Sequence, residues 1–177
     1  MIALNGAACT IIAGRGEEKL KAAEEAVRKT APQAKIKTIQ LDLGIPSSIK
    51  AAAEEINNLG MPIDVLINNA GLMASPYYKS DFPEVDQQLG TNHLGHFYFT
   101  ALLKDSILQS KEPRIVNVGS GAHHISPVHF DDIGFSKGEK YNKVCFSSLD
   151  KRKILMGVFS LSPMANRKLQ IVCSPSD

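Results

Sequence analysis

The chain has 177 residues, a length that suits one domain with a buried core. Its hydrophobic content of 44% and charged content of 21% are ordinary for a globular protein, and a net charge of +2 favours neither nucleic acid nor an anionic membrane as a partner. No apolar run approaches the roughly 20 residues that span a bilayer, and the first residues lack a signal-peptide pattern.

Short apolar runs alternate with helical patterns along the chain. The runs predict strands at 8–14, 35–42, 64–71, 114–120 and 169–174, and the patterns predict helices at 17–29, 46–60, 91–110 and about 146–162. In the second helix Ile49, Ala53 and Ile56 share one face. This order predicts an α/β fold with one domain, residues 1–177, in which helices cover both faces of a parallel sheet.

Small and polar residues follow the predicted strands, at the edge where parallel sheets bind ligands. In "DVLINNAG", Ala70 and Gly71 let a planar ligand approach the backbone, because neither carries a bulky side chain. Asn68 fits two roles, since it either binds a ligand or ties neighbouring strands together. Asp42 also fits two roles, since it either accepts a hydrogen bond from a ligand or closes a turn. The residues alone leave both alternatives open.

Four segments, in order along the chain, resemble the short-chain dehydrogenase/reductase family. They are "LDLG" (41–44), "DVLINNAG" (64–71), "TNHLGHF" (91–97) and "RIVNVGSGAHH" (114–124). The wording is most similar to the branch of retinol dehydrogenases and their fungal relatives, and the resemblance runs from about Ala3 to Ser176. It implies an incomplete Rossmann-like, doubly wound domain that binds NAD(P).

The resemblance also implies a cofactor site. Asp42 would lie near the adenine, and Asn68, Ala70 and Gly71 would line the cofactor. The residue after the family's second strand selects the cofactor, because an acid accepts from the ribose of NAD whereas Arg binds the 2′-phosphate of NADP. Here Arg15 takes that position and no acid follows until Glu17, so we expect NADP rather than NAD.

Three residues match the family's catalytic tetrad. By resemblance Ser120 would bind the substrate oxygen, Asn92 would hold a water, and Lys151 would bind the nicotinamide ribose and lower the pKa of a neighbouring phenol. The family places that phenol on a Tyr four residues before the Lys, where this chain has Ser147. A Ser hydroxyl is a far weaker acid and reaches less far, so this substitution predicts weak turnover.

Both ends also depart from the family pattern. No GxGxxG or GxxxGxG spacing occurs in the chain, so the first strand and its glycine-rich pyrophosphate turn are predicted to be missing. That strand lies in the middle of the family's sheet, and its loss is expected to separate its neighbours or force them together. The substrate-covering lobe after the last strand is predicted to be missing as well.

The remaining patterns favour no further site. His93 and His96 share a helix, and His123 and His124 follow a strand, but no acid or Cys cluster joins them, so we expect no metal. Three cysteines without CxxC spacing indicate a reducing compartment, and we expect a cytoplasmic protein.

Two functions follow from these features. The first is an NADP(H)-dependent oxidoreductase that acts on a small lipophilic alcohol or carbonyl compound, as in secondary metabolism, and that forms a homodimer. The second is a catalytically inactive relative or fragment, which acts as a binding partner of an intact reductase. The four family segments favour the first, and Ser147 with the two predicted losses favours the second.

Overall fold

The computed structural model describes residues 7–73, 75–119, 130–135 and 169–173. The predicted helix at 146–162 lies outside these residues. The strands are β1 (Cys9–Gly14), β2 (Ile36–Gln40), β3 (Val65–Asn68), β4 (Arg114–Asn117) and β5 (Leu169–Cys173). The helices are α1 (Glu17–Thr30), α2 (Pro46–Asn57), α3 (Gln87–Leu89), α4 (His96–Leu102) and α5 (Lys104–Leu108), with a 3-10 turn at Phe130–Asp132.

The five strands form one sheet in the order β2-β1-β5-β3-β4. Every pair is parallel, which confirms the predicted α/β architecture. The last strand of the chain therefore lies in the centre of the sheet, and Ile171 is aligned with Ile11 on one side and Leu66 on the other.

This position of β5 corrects one expectation from the sequence. The strands on either side of the predicted gap, β1 and β3, are neither separated nor forced together, because β5 pairs with both of them. The physical reason is that a buried strand edge left open exposes N–H and C=O groups that need partners. A strand from the other end of the chain supplies those partners here.

Helices cover the sheet as their apolar patterns predict. Helix α1 packs against β1 and β2 through the buried Leu20, and α2 packs against β2 and α4. The predicted inner face of α2 is confirmed, since Ile49, Ala53 and Ile56 are all buried. The core combines strand, α2 and α4–α5 side chains. Its largest members are Ile11, Ile39, Ile49, Ile56, Ile63, Leu66, Phe99 and Leu103.

The predicted single helix at 91–110 is wrong in detail. The chain forms α3, then a π-helical turn at Gly90–Gly95 (the π turn), then α4 and α5, which are separated at Leu103. A π turn fits one extra residue into a helix without changing its apolar pattern, so periodicity does not reveal it. None of the helices in the described ranges has the length and apolar character needed to cross a membrane.

Candidate active site

The strands of the sheet end along one edge, which we call the carboxyl edge. Because the strands are parallel, Gly14 lies level with Gln40, and Asn68 lies level with Asn117. The residues that follow them include Arg15, Asp42, and the Ala70–Gly71 turn. The structure thus places these sequence-predicted cofactor residues along the ligand-binding edge of the fold.

Three predicted catalytic positions lie outside the described residues. Ser120 directly follows Gly119, which continues from β4 at the carboxyl edge, while Ser147 and Lys151 belong to the stretch after residue 135. Their roles therefore stay predictions.

Asn68 ends β3 with its side chain buried. Its Nδ2 donates to Asn117 Oδ1 over 2.8 Å and lies 3.2 Å from Thr100 Oγ1, so it ties β3 to β4 and to α4. These hydrogen bonds correspond to the structural alternative for Asn68, and no pattern in the sequence indicated Asn117 as its partner. A cofactor contact of Asn68 remains a prediction.

Asp42 closes the turn between β2 and α2. Its Oδ1 accepts from the backbone N–H of Gly44 over 2.8 Å, and its own N–H donates to Ser48 Oγ over 2.9 Å. These are the hydrogen bonds of the turn-closing alternative. Asp42 is half-buried at the carboxyl edge. The predicted contact with adenine would need its carboxylate at this same edge.

Arg15 lies beyond the end of β1 with an exposed side chain. Its carbonyl oxygen accepts from Gln40 Nε2 over 3.4 Å, so backbone contact links it to β2. The nearest following acid, Glu17, pairs with Lys21 over 2.6 Å on the surface of α1. The hydrogen bond from Lys21 lowers the pKa of Glu17, with the charge of Lys21 as the second cause. Glu17 is thus paired with Lys21, whereas the guanidinium of Arg15 is exposed to solvent.

Asn92 lies in the π turn and is 1% exposed. Its Oδ1 accepts from the backbone N–H of Leu72 over 2.6 Å, and its Nδ2 donates to the carbonyl oxygen of Leu72 over 2.9 Å. We call this pair of hydrogen bonds the Leu72 clasp. It holds the loop just after Gly71, so the side chain of Asn92 positions the turn that carries the predicted cofactor residues Ala70 and Gly71.

Two glycines let neighbouring loops approach the π turn. A Cβ on Gly95 would overlap the carbonyl oxygen of Leu43, in the loop that carries Asp42, and a Cβ on Gly90 would overlap Ser80 Oγ. The π turn therefore contacts the loop after β2 at Gly95 and the loop after β3 through the Leu72 clasp. One element fixes both loops at the carboxyl edge, and sequence reasoning missed it.

A comparison with protein families decides the ancestry of this fold. The family model described as "short chain dehydrogenase" matches residues 1–137. This chain belongs to the short-chain dehydrogenase family. The resemblance inferred from four sequence segments is therefore confirmed.

Curated relatives place this short-chain dehydrogenase near the expected branch. It is 35% identical to human "Retinol dehydrogenase 13" over 160 residues, which cover 90% of this chain and 46% of that protein. It is 34% identical to "Oxidoreductase fscI" of Fusarium equiseti over 129 residues, or 71% of this chain and 50% of that protein. The chain thus spans about half the length of these two relatives.

Solved structures show the same fold. A short-chain dehydrogenase from Sphingobium yanoikuyae, in complex with NADPH, matches with a TM-score of 0.59 at 21% identity, over 84% of this chain and 52% of that one. An NADPH-bound short chain oxidoreductase from Pseudomonas aeruginosa PAO1 with an atypical catalytic center matches with a TM-score of 0.57 at 20% identity, over 77% and 53%.

Short-chain dehydrogenases bind nicotinamide cofactors, and parts of the carboxyl edge have the chemistry that such a dinucleotide needs. The exposed guanidinium of Arg15 suits a phosphate at the adenosine end, and the small residues Ala70 and Gly71 let a planar group approach the backbone. The middle fits less well. Helix α1 begins with Glu17 and Glu18, which disfavour a pyrophosphate at its N-terminus. The described residues provide no glycine-rich turn for that group.

Proposed function

We propose that this short-chain dehydrogenase is an NADP(H)-dependent oxidoreductase acting on a lipophilic alcohol or carbonyl compound. The observation that carries the proposal is the carboxyl edge, where an exposed Arg15 and the Ala70–Gly71 turn, held through Leu72 by Asn92, follow the ends of parallel strands, as the ligand-binding residues of such sheets do. Family membership supplies the reaction class, since the chain matches the short-chain dehydrogenase model over residues 1–137.

Each residue has a defined task in this proposal. When bound, the nicotinamide supplies or accepts the hydride. Asn92 holds Leu72 so that the turn at Gly71 keeps its position at the carboxyl edge. Ser120 would hydrogen-bond the substrate oxygen, Lys151 would hold the ribose, and Ser147 stands where a phenol would exchange the proton. A Ser in that position makes proton transfer the slow part of the reaction.

Two observations support a lipophilic substrate. Three of the relatives are described as human retinol dehydrogenases, at 35–37% identity. In addition, Met73, which directly follows the clasped Leu72, is 80% exposed, and Tyr78 is 57% exposed. Exposed apolar side chains beside a cofactor site favour an apolar ligand over a charged one.

Arg15 is expected to select NADPH over NADH. We expect Arg15→Ala to raise the Kd for NADPH about 10- to 100-fold, because a charge-assisted hydrogen bond to the 2′-phosphate contributes about 1.5–3 kcal/mol. The Kd for NADH, which lacks that phosphate, should change little. Titrating both cofactors by their fluorescence, with wild type and variant side by side, measures the two values.

Arg28→Ala is the matched control, because it removes the same charge from α1, where Arg28 pairs with Glu24. It should leave both Kd values near those of the wild type. If Arg28→Ala raised the Kd for NADPH as much as Arg15→Ala does, this would count against a specific phosphate contact. Absence of NADPH binding by the wild type at millimolar concentration would sink the proposed function itself.

The alternative is a non-catalytic relative that binds an intact reductase, and Ser147 is the feature that favours it. If the chain is an enzyme limited by proton transfer, we expect Ser147→Tyr to speed NADPH oxidation with a long-chain aldehyde by about a hundredfold or more. Ser148→Tyr, one residue out of register with Lys151, is the control. Unchanged turnover by Ser147→Tyr, with NADPH still bound, would favour the binding-partner function.

We also propose a cytoplasmic location. The three cysteines lack CxxC spacing, and the thiol of Cys9, at the amino end of β1, is free. Burial raises the pKa of Cys9, against the smaller opposing effects of Lys37 and Lys35, so the thiol stays protonated and weakly nucleophilic at neutral pH. Such a thiol suits a reducing compartment.

A further inference from the structure

His96 is a buried imidazole for which the proposed chemistry has no use. It is the first residue of α4, directly after the π turn, and its side chain is 3% exposed. Its Nδ1 lies 2.9 Å from the carbonyl oxygen of Asn92. Because a carbonyl oxygen only accepts, Nδ1 must carry a proton for this contact to be a hydrogen bond.

The residue that His96 contacts holds the Leu72 clasp. The backbone carbonyl oxygen of Asn92 contacts the imidazole of His96, and the side-chain amide of Asn92 makes both hydrogen bonds to Leu72. The contacts therefore run in series from His96 through Asn92 to Leu72 and the turn at Gly71. Single π turns inside helices are frequent at functional sites, and here the turn carries Asn92 and is followed directly by His96.

We propose that His96 is a positioning residue: its Nδ1–H fixes the peptide of Asn92 and thereby aligns the Leu72 clasp beside the Ala70–Gly71 turn. The metal-ligand spacing of His93 and His96 gains no support, since no group of three or more potential ligands occurs in the described part of the chain. An effect of His96 on cofactor binding rests on the proposed function, whereas the contacts from His96 through Asn92 to Leu72 are seen in the structure.

The backbone N–H of Leu72 offers a direct test. It donates to Asn92 Oδ1, so its hydrogen-exchange rate, measured by NMR, reports the state of the clasp. We expect His96→Leu, which removes the donor at similar bulk, to speed exchange at Leu72 about tenfold, as for one lost hydrogen bond. His96→Asn places Nδ2 where Nδ1 was, and it should restore the rate to within about threefold of wild type.

Two references separate positioning from a general loss of stability. The N–H of Ile63, which donates to Ser106 O over 2.9 Å in the core, should keep its exchange rate in both variants. Phe97→Gln changes the neighbouring residue, which is 65% exposed, and should leave Leu72 unchanged. Equal acceleration at Leu72 and Ile63, or no acceleration at Leu72, overturns the inference.

NADPH titration of the same variants tests the functional step. We expect His96→Leu to raise the Kd for NADPH about tenfold and His96→Asn to retain most of the affinity. Failure of the wild type to bind NADPH contradicts the proposed function, while exchange at Leu72 still decides whether His96 holds the clasp. A His96→Leu variant with faster exchange at Leu72 but unchanged NADPH affinity overturns the link between the clasp and the cofactor.

Discussion

Replacing Ile171 by proline is expected to destabilise the protein severely. Ile171 lies in β5, aligned with Ile11 of β1 and Leu66 of β3, both of which are fully buried. Proline has no N–H for the ladder and is excluded from central strands. We expect a loss of about 3 kcal/mol or more, a large part of the roughly 5–15 kcal/mol that stabilises a domain. Urea denaturation followed by circular dichroism measures it.

Ile171→Val is the matched control, because it keeps both the N–H and the β-branched shape. It should cost about 0.5–1.5 kcal/mol and leave a cooperative transition. A proline variant as stable as the valine variant would contradict the central position of β5 and would mean that β1 and β3 obtain their partners from elsewhere.

Sequence reasoning predicted the elements of the sheet but not the place of its last strand. The apolar run of β1 identifies a buried strand, since residues 10–13 are all buried, as a parallel sheet with covered faces requires, whereas β4 contains no fully buried residue. The pairing of strands cannot be predicted in this way, because it aligns Ile171 with Ile11, which lies near the other end of the sequence. No local pattern encodes that alignment, and the family's strand order suggested a gap there.

In the candidate site, too, the positions of the residues were predictable from the sequence but their contacts were not. Asp42 and Asn68 were recognised by residue type and strand-end position, but their partners, Ser48 and Asn117, come from other elements. Sequence resemblance predicts that Asn92 holds a water, which stays a prediction, and the hydrogen bonds of its side-chain Oδ1 and Nδ2 to the backbone of Leu72 were not predicted. A residue's position can be read locally, but its hydrogen-bond partners require the packed fold.

The π turn gives the second large prediction. We expect Gly95→Ala to destabilise the protein by about 1–3 kcal/mol, because the new Cβ would overlap the carbonyl oxygen of Leu43 and lie 2.9 Å from its Cβ. Backbone atoms do not rotate away as a side chain does, so the loop itself must move. That loop carries Asp42, whose hydrogen bond to the N–H of Gly44 should then weaken. Urea denaturation and hydrogen exchange at Gly44 measure both effects.

Gly14→Ala is the control at the same edge of the sheet. A Cβ there would lie 3.5 Å from Leu20 Cδ2, which is ordinary van der Waals contact, so stability should stay the same or rise slightly. The comparison separates a general glycine effect from a specific close approach. Should Gly95→Ala match Gly14→Ala in stability and leave Gly44 protected, the π turn does not hold the Asp42 loop. If only the Gly95 variant loses stability, the π turn holds both loops at the carboxyl edge, since Asn92 of the same turn holds Leu72.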